Sequence, residues 1–423
     1  VFQINNCGLN FIFVKVKPKS NTIIQNFNFL YHIISVYKII INMFRKMRVA
    51  MIGGGRNAFI GSIHRIAIQM DGLAEIVAGA LSANPENALA SGKDLFLPED
   101  RIYTDFRTMI KKESASPSEI RPDIICIVTP NHMHFEPAML ALQNGFHVAI
   151  DKPITFSTEE AIRLKEVLES SGKQLLLTHV YTGYPMIKQA REMIQSGVLG
   201  RIRKVFVEYP QGWLSAPLEQ ENNKQASWRT DPTKSGKAGA MGDIGTHAFN
   251  LAEYVSGLSV YKICADVNTI VPGRLLDDDG AVLLRFEGGA SGVLMATQVA
   301  TGEENNLRIR VYGEKGGLEW QQADCNSLRV MWPDKPAEIF RTGAGYSGAM
   351  AVHNSRTPAG HPEGYLEAFA NLYRNFFHTI AASDKQESEK YLDFPGIEEG
   401  IRGMKFVDKV IESGVSEQKW LTF

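Results

Sequence analysis

From Arg48 onward the chain alternates short apolar runs with amphipathic stretches. Arg48–Ile52 is an apolar run ending in glycines, and Glu75–Leu81 is a second. Asn84 and Pro85 follow it, a helix start with proline in the first turn. Arg101–Tyr103 reads as a third, short strand, and Asp105 as the cap of a helix over 106–112. Asp123–Thr129 reads as a buried strand, 135–144 as a helix stopped by Gly145, and His147–Ile150 as the next strand. Thr158–Ser171 carries a helical stripe, with Ser157 and Glu160 spaced as a capping box. Strand and helix in strict turn, with strands this apolar, predict a parallel doubly wound sheet.

After about Gly172 the rhythm changes. Leu175–His179 reads as a strand and Pro185–Ser196 as a helix. Longer, alternating strands follow at Arg203–Tyr209, Tyr261–Ile270, Ala281–Phe286, Gly292–Gln298 and Leu307–Tyr312, several joined by glycine-rich turns. Together with helices at Gly245–Val255, 365–381 and 396–413, they predict a large, mostly antiparallel open sheet with helices on one face. The fold class is therefore α/β: a Rossmann-type parallel sheet over 47–172 and a second α/β domain over 173–423. The C-terminal helices are free to pack back on the first domain. Between Pro333 and Gly364 no period is visible. A loop that long is expected to help form a ligand pocket, with Arg341, His353, Arg356 and His361 as donors.

Composition changes this picture at one end. The chain has 423 residues, with 45 Lys and Arg against 46 Asp and Glu. Residues 1–46 hold six of the basic side chains and no Asp, Glu or Ala, so 47–423 is acidic, with 39 against 46 and a net charge of −7. Such a balance excludes bulk attraction to nucleic acid or to an anionic membrane. The leader lacks the cleavage site of a signal peptide. It is expected to be translated upstream sequence with a native start at Met43 or Met47, a targeting segment being the alternative. No apolar run reaches 18 residues, so no membrane span is expected. Cys7, Cys126, Cys264 and Cys325 are far apart, which speaks against a zinc knuckle, an iron–sulfur cluster or a disulfide scaffold and fits a reducing cytoplasm.

The candidate chemistry sits where strands end. Gly53, Gly55 and Ala58 make a G-x-G-x-x-A fingerprint with Arg56 and Asn57 inside it, between the first strand and its helix. This is the pattern that cradles a dinucleotide pyrophosphate. The second strand ends Ala80-Leu81-Ser82-Ala83-Asn84 with neither an acid for a ribose diol nor a base for a 2′-phosphate, so NAD and NADP both stay open, with Ser82 at the ribose. A later strand exits into Thr129, Pro130, Asn131, His132 and His134, a cofactor-facing loop. Two histidines without further ligands make a poor metal site, and none is expected. The next strand exits into Asp151-Lys152-Pro153, where an ammonium can donate to a hydroxyl and stabilise a developing alkoxide. Asp243 and His247, spaced i, i+4 at a helix start, share a face. His247 is suited to accept a hydroxyl proton, and Asp243 to orient it or to bind the same hydroxyl.

Taken together these residues resemble the Gfo/Idh/MocA oxidoreductases, whose signatures are E-K-P after a Rossmann strand and D-x-x-x-H in a second α/β domain. Here Asp151-Lys152-Pro153 departs in Asp for Glu, and Asp243 to His247 is intact. Trp228-Arg229-Thr230-Asp231-Pro232 also looks like the family. The turn Gly53–Gly61, the run His179–Pro185 and His361–Tyr365 look like a branch that includes levoglucosan dehydrogenase, in which Asn is expected at the position of Val180. The resemblance implies an NAD(P)-dependent dehydrogenase of a cyclic polyol or sugar, with Lys152, Asp243 and His247 catalytic and His247 taking the proton. It implies Asp151, Lys152, Trp228 and Arg229 at the cofactor and Tyr181 and His361 at the substrate. It further implies a homodimer or homotetramer formed through the open sheet. An NAD-dependent glycosidase and a non-catalytic sugar sensor on the same fold are the alternatives.

Overall fold

The parallel sheet forms because five apolar segments are too short and too uniformly hydrophobic to show water a face. They are β1 (Met47–Gly53), β2 (Ala74–Ala80), β3 (Ile124–Val128), β4 (His147–Ile150) and β5 (Leu175–Leu177), in the order β2-β1-β3-β4-β5. All four pairings are parallel, and β3 is buried at every residue. The computed structural model describes residues 45–221, 223–382 and 384–423. The expectations for the leader therefore fall almost entirely outside the described residues. Lys46–Phe423 forms one compact unit.

Helices α1 (Phe59–Gln69), α2 (Pro85–Asp94), α3 (Phe106–Ser114), α4 (Phe135–Gln143) and α5 (Thr158–Ser171) connect these strands. Their starts are fixed locally. The Asn84 side chain accepts from Asn87 N at 2.9 Å and Asp105 from Thr108 N at 2.8 Å. Ser157 accepts from Glu160 N at 3.2 Å, while the Glu160 carboxylate reaches back to Phe156 N at 3.0 Å. Each such cap is worth about 1 kcal/mol.

The second sheet has nine strands: β6 (Ile202–Pro210), β7 (Val260–Asn268), β8 (Asp279–Phe286), β9 (Ser291–Thr297), β10 (Arg308–Gly313), β11 (Gly317–Gln321), β12 (Ser327–Met331), β13 (Glu338–Arg341) and β14 (Trp420–Thr422). Their order is β13-β12-β11-β10-β6-β9-β8-β7-β14, antiparallel except for β6 beside β9. Alternation decides the faces. Val205, Val207, Leu294 and Ile309 are buried on the face covered by α6 (Pro185–Gln195) and α7 (Thr246–Ser256), and Ile263 and Leu284 are buried too, while Tyr261 and Leu283 stand exposed on the open side.

Two long C-terminal helices return to the first layer. α8 (Tyr365–Ala381) lies along α1, and α9 (Ile397–Val415) lies on α5. Leu177 N donates to Pro395 O at 2.8 Å, Thr158 Oγ1 to Asp408 Oδ2 at 2.6 Å, and Lys165 pairs with Glu398 at 2.5 Å. Among the described residues no helix is long and apolar enough to cross a membrane.

Three expectations need correction. Arg101–Tyr103 is no strand: Glu99–Arg101 is a 3₁₀ turn, and only Ile102 bridges to Gly79. Leu175–Leu177 belongs to the parallel sheet, beyond the boundary expected at 172, because it pairs with β4. The stretch 333–364 is not an unstructured pocket loop. It supplies β13 and the helical turn Ala349–His353 and then braces the fold. The Arg356 guanidinium grips Asp71 at 2.8 and 2.5 Å, and Arg374 grips the same carboxylate at 3.0 and 2.6 Å. His353 Nε2 lies 2.9 Å from Asn375 Oδ1, and Arg341 donates to Ser327 Oγ at 2.6 Å.

Candidate active site

A cleft of about 740 Å³ runs from the glycine turn after β1 to the start of α7, between the two sheets. At its first end the chain leaves β1 through Gly53 and Gly54, whose φ values of +80° and +74° suit glycine. The fingerprint works one turn later than its spacing suggests. A Cβ on Gly61 would lie 2.3 Å from Gly54 Cα, so Gly61, not Ala58, allows α1 to pack on the turn. Ala58 is the N-cap and offers no side-chain acceptor, which leaves the N–H groups of the first helical turn for an anion. Gly53, Gly55, Arg56, Ala58, Ser82, Thr129, Pro130 and Asn131 all line the cleft. This cradle fits the diphosphate of a dinucleotide. Asn57 stands just outside it, at φ +67°, on an adjoining recess with Asn223, Lys224 and Gln225.

His134 does not reach the cleft. It is fully buried, with its ring nitrogens 2.6 Å from Pro153 O and 2.8 Å from Thr129 O. It ties together the two turns whose residues face the cleft. Arg56 bears on a second expectation, that the end of the second strand has no base nearby, because it lines the same cleft as Ser82. Its guanidinium is at the cleft rim, bound to Asp94 at 2.6 and 2.7 Å.

The turn after β4 carries Asp151 and Lys152. Asp151 accepts from Thr178 Oγ1 at 3.0 Å and has His64 Nε2 behind it at 3.9 Å. Burial opposes its charge, but the His64 contact holds its carboxyl far below the usual range. His64 is fully buried yet pushed up to about 9, because Asp151 and Cys126 outweigh desolvation. Lys152 Nζ donates to Asp243 Oδ1 at 2.5 Å and to Asp243 O at 2.8 Å.

Asp243 lies in a π turn, Met241–Gly245, that leads into α7. That turn departs from the i→i−4 ladder, and the Asp243 carbonyl accepts from Lys152. Asp277 holds the entrance, accepting from Gly239 N at 2.6 Å and Met241 N at 2.7 Å. The other Asp243 oxygen accepts from Arg229 Nε at 3.1 Å and Gln298 Nε2 at 3.0 Å. Burial works against this carboxylate, but Lys152 and Arg229 keep it ionised far below the usual range. Arg229 in turn stacks on Trp228, 4.2 Å from the ring centre.

His247 lines the same cleft, as the i, i+4 spacing requires. The expected Asp243 support is not a hydrogen bond, since both Asp243 oxygens are taken by cations and Gln298. The ring instead meets His179, Nδ1 to Nδ1 at 3.3 Å. Burial, then the Lys152 ammonium and His179, hold the His247 pKa well below its ordinary value, so the imidazole is neutral at pH 7. Tyr181 packs edge-on against it at 5.0 Å, and its hydroxyl meets that of Tyr209. Tyr209 donates to Asn305 Oδ1 at 2.7 Å, and Gln211 Nε2 to the same oxygen at 2.5 Å. His361 is exposed and outside the cleft, because the brace at Asp71 turns its loop away.

His179, Tyr209, Gln211, Gln298 and Asn305 escaped the sequence reading. Only His179 carried a signal, lying in a run already noted for its resemblance. The others sit on strands or turns whose approach to the cleft depends on sheet order. Among the described residues no group of three or more His, Cys, Asp or Glu could hold a metal ion.

Comparison with known proteins assigns the family and the fold. A family described as "Oxidoreductase family, NAD-binding Rossmann fold" matches residues 47–179, and one described as "GFO/IDH/MocA C-terminal domain" matches 187–319. An uncharacterized oxidoreductase, YfiI, of Bacillus subtilis (strain 168) is 30% identical over 90% of this chain and 97% of its own length. Levoglucosan dehydrogenase of Pseudarthrobacter phenanthrenivorans is 27% identical over 70% of this chain and 80% of its own. Among solved structures, an inositol dehydrogenase homolog of Azotobacter vinelandii complexed with NAD+ superposes with a TM-score of 0.85 at 33% identity, covering 90% of this chain and 98% of that one. Both halves match in order and a relative matches almost end to end, so this chain belongs to the GFO/IDH/MocA oxidoreductases and its parallel sheet is their NAD-binding Rossmann domain.

Proposed function

We propose that the protein is a dehydrogenase that oxidises a ring hydroxyl of a cyclic polyol or sugar, with NAD preferred and NADP tolerated. The observation that carries the reading is that Lys152, Asp243 and a neutral His247 meet in the cleft that also holds the glycine cradle. Bound there, the nicotinamide supplies the hydride acceptor. The chain supplies the rest. Lys152 donates to the reacting oxygen and stabilises the charge that develops on it. Asp243 fixes the ammonium and balances its charge. His247 Nε2, which makes no hydrogen bond among the described residues, receives the hydroxyl proton. The remaining hydroxyls of a ring find partners along Tyr181, Tyr209, Gln211 and Asn305, and Trp213 and Trp228 offer flat faces. The exposed Tyr261 and Leu283 on the open sheet support a homodimer or homotetramer joined there.

Relatives support this substrate class: myo-inositol 2-dehydrogenase of Thermotoga maritima is 26% identical over 283 residues, and a neighbouring structure is complexed with NADH and myo-inositol. A second reading has a specific support. Two relatives are 2,7-anhydro-N-acetylneuraminate hydratases, 27% and 26% identical, and hydration involves no net oxidation. A screen of sugars, polyols and anhydro sugars, neutral and acidic, with NAD and NADP separates the two. Steady accumulation of NADH supports the dehydrogenase. Substrate loss without net NADH supports the redox-neutral reading, and inertness toward the whole panel counts against both.

A further inference from the structure

His247 and His179 face each other through the same kind of atom. Their Nδ1 atoms lie 3.3 Å apart, the rings cross at 86°, and the side chains are only 8% and 3% exposed. A neutral imidazole carries one N–H. Two N–H groups aimed at each other repel, and so do two lone pairs. The contact therefore holds one proton, and the two rings carry opposite tautomers. With that proton on His179, His247 would present Nε2–H to the cleft and could accept nothing there. With it on His247, Nε2 is a bare lone pair.

We propose that His179 is a positioning residue: its Nδ1 accepts the Nδ1–H of His247 and so keeps His247 Nε2 free to receive a proton from the cleft. The proposal rests on the reading of His247 as the base. The step balances simply. The substrate O–H bond breaks and its electron pair stays on oxygen, while the Nε2 lone pair forms the new N–H bond. The resulting imidazolium still donates Nδ1–H to His179, so uptake needs no rearrangement of the pair. A carboxylate in that place would also orient the ring, but it would hold the proton more tightly after uptake. A neutral acceptor orients without that cost. The other groups facing His247 are Lys152, Asp243, Asp151, Tyr181 and Tyr209, and none of them is hydrogen-bonded to its Nδ1.

The direct test needs no substrate. In histidine-15N-labelled enzyme saturated with NAD, long-range 1H–15N spectra separate Nδ1–H from Nε2–H rings, and His247→Ala assigns the His247 signals. The expected result is an Nδ1–H tautomer for His247, lost in His179→Leu and kept in His179→Asn, whose Oδ1 stands near the Nδ1 position. An Nε2–H tautomer in the wild type would overturn the proposal. With the polyol returned by the screen, His179→Leu should lower kcat about 10- to 100-fold, less than loss of a charged orienting group, with KM within about twofold. Its acid limb of kcat/KM should move to lower pH, and His179→Asn should recover most of the rate. Should His179→Leu not fold, His179→Asn against His179→Gln makes the same distinction, because the Gln oxygen reaches the Nε2 position instead. Equal loss in Leu and Asn variants with an unmoved pH profile would make His179 a packing residue. An Nδ1–H tautomer in an enzyme whose His247→Ala variant keeps its rate would leave the pairing intact and remove the base.

Discussion

Asp243 binds Lys152 twice, through Oδ1 at 2.5 Å and through its own main-chain oxygen at 2.8 Å. The same carboxylate carries Arg229 on its other oxygen. Lys152→Ala should remove most turnover, about 10²–10³ in kcat, while NAD affinity changes little, since it acts on charge developing in the transition state. Asp243→Ala should cost at least as much, because it frees the ammonium and leaves two cations unbalanced. The double variant should be little worse than either single one, and full additivity would separate the two roles.

With His247 as the proposed base, its protonation should set the acid limb of the rate. Burial and the nearby ammonium hold its pKa well below 6.5, so it is already neutral at pH 6.5. Wild-type kcat/KM should therefore be level from about pH 6.5 to 8 and fall only in more acidic buffer. The rising limb that an ordinary histidine would give near neutrality should be absent. His247→Ala should lose about 10²–10⁴ at pH 7 and retain a residual rate that climbs with pH, as hydroxide takes over.

Stability should peak near neutral pH for two opposed reasons. His147 and His179 are pushed down to about 4 and about 3, mainly by burial, so below about 6.5 the unfolded chain binds protons that the folded one refuses. Their contribution is complete above 6.5 and is lost as pH falls. His64 is raised to about 9, so its contribution is complete below 6.5 and is lost as pH rises through 9. Tm measured from pH 4 to 10 should form a dome, and His64→Gln should flatten its alkaline side.

Asp71 should matter to stability and not to binding. It pairs with Arg356 and Arg374, and these opposed charges hold its pKa near 2 against burial. Asp71→Ala leaves two largely buried guanidinium groups facing each other, which should cost about 3–5 kcal/mol. The effect should shrink as pH falls from 4 toward 2, where the wild-type carboxylate itself takes a proton. KM for either substrate should stay near that of wild type, and a large rise would return the 333–364 stretch to the pocket.

Ser82 lines the cleft, as does Arg56, which pairs with Asp94, and the proposed cofactor pose puts the ribose at Ser82. Ser82→Asp should lower kcat/KM for NADP at least about tenfold relative to NAD, because a carboxylate there binds a diol and repels a phosphate. An unchanged ratio would place the ribose elsewhere.

The layers were legible because they follow from periodicity alone. The parallel strands and their caps at Asn84, Asp105 and Ser157 stand within a residue or two of the reading. That Lys152, Asp243 and His247 share one cleft was legible because strand ends and an i, i+4 spacing place side chains predictably. What sequence could not show was pairing across long separations. Asp243 supports Lys152 from 91 residues away, and His179 meets His247 across 68. The polar loop after Pro333 gave the opposite error. Its Gly and Arg content looked like a ligand surface, but Arg356 answers Asp71, which lies 285 residues earlier, and Arg341 answers Ser327.

The hydrogen bond from Leu177 to Pro395, and α9 lying against α5, bear on how the protein is made. The edge of the nucleotide-binding layer is closed by residues that a ribosome adds more than 200 positions later. That layer is synthesised early but is left with an open strand and an uncovered helix until Pro395 and Asp408 have emerged. Translation that stops before α9 should yield a nascent chain whose cofactor half is a client for chaperones, and the same half expressed alone should need a substitute for that helix.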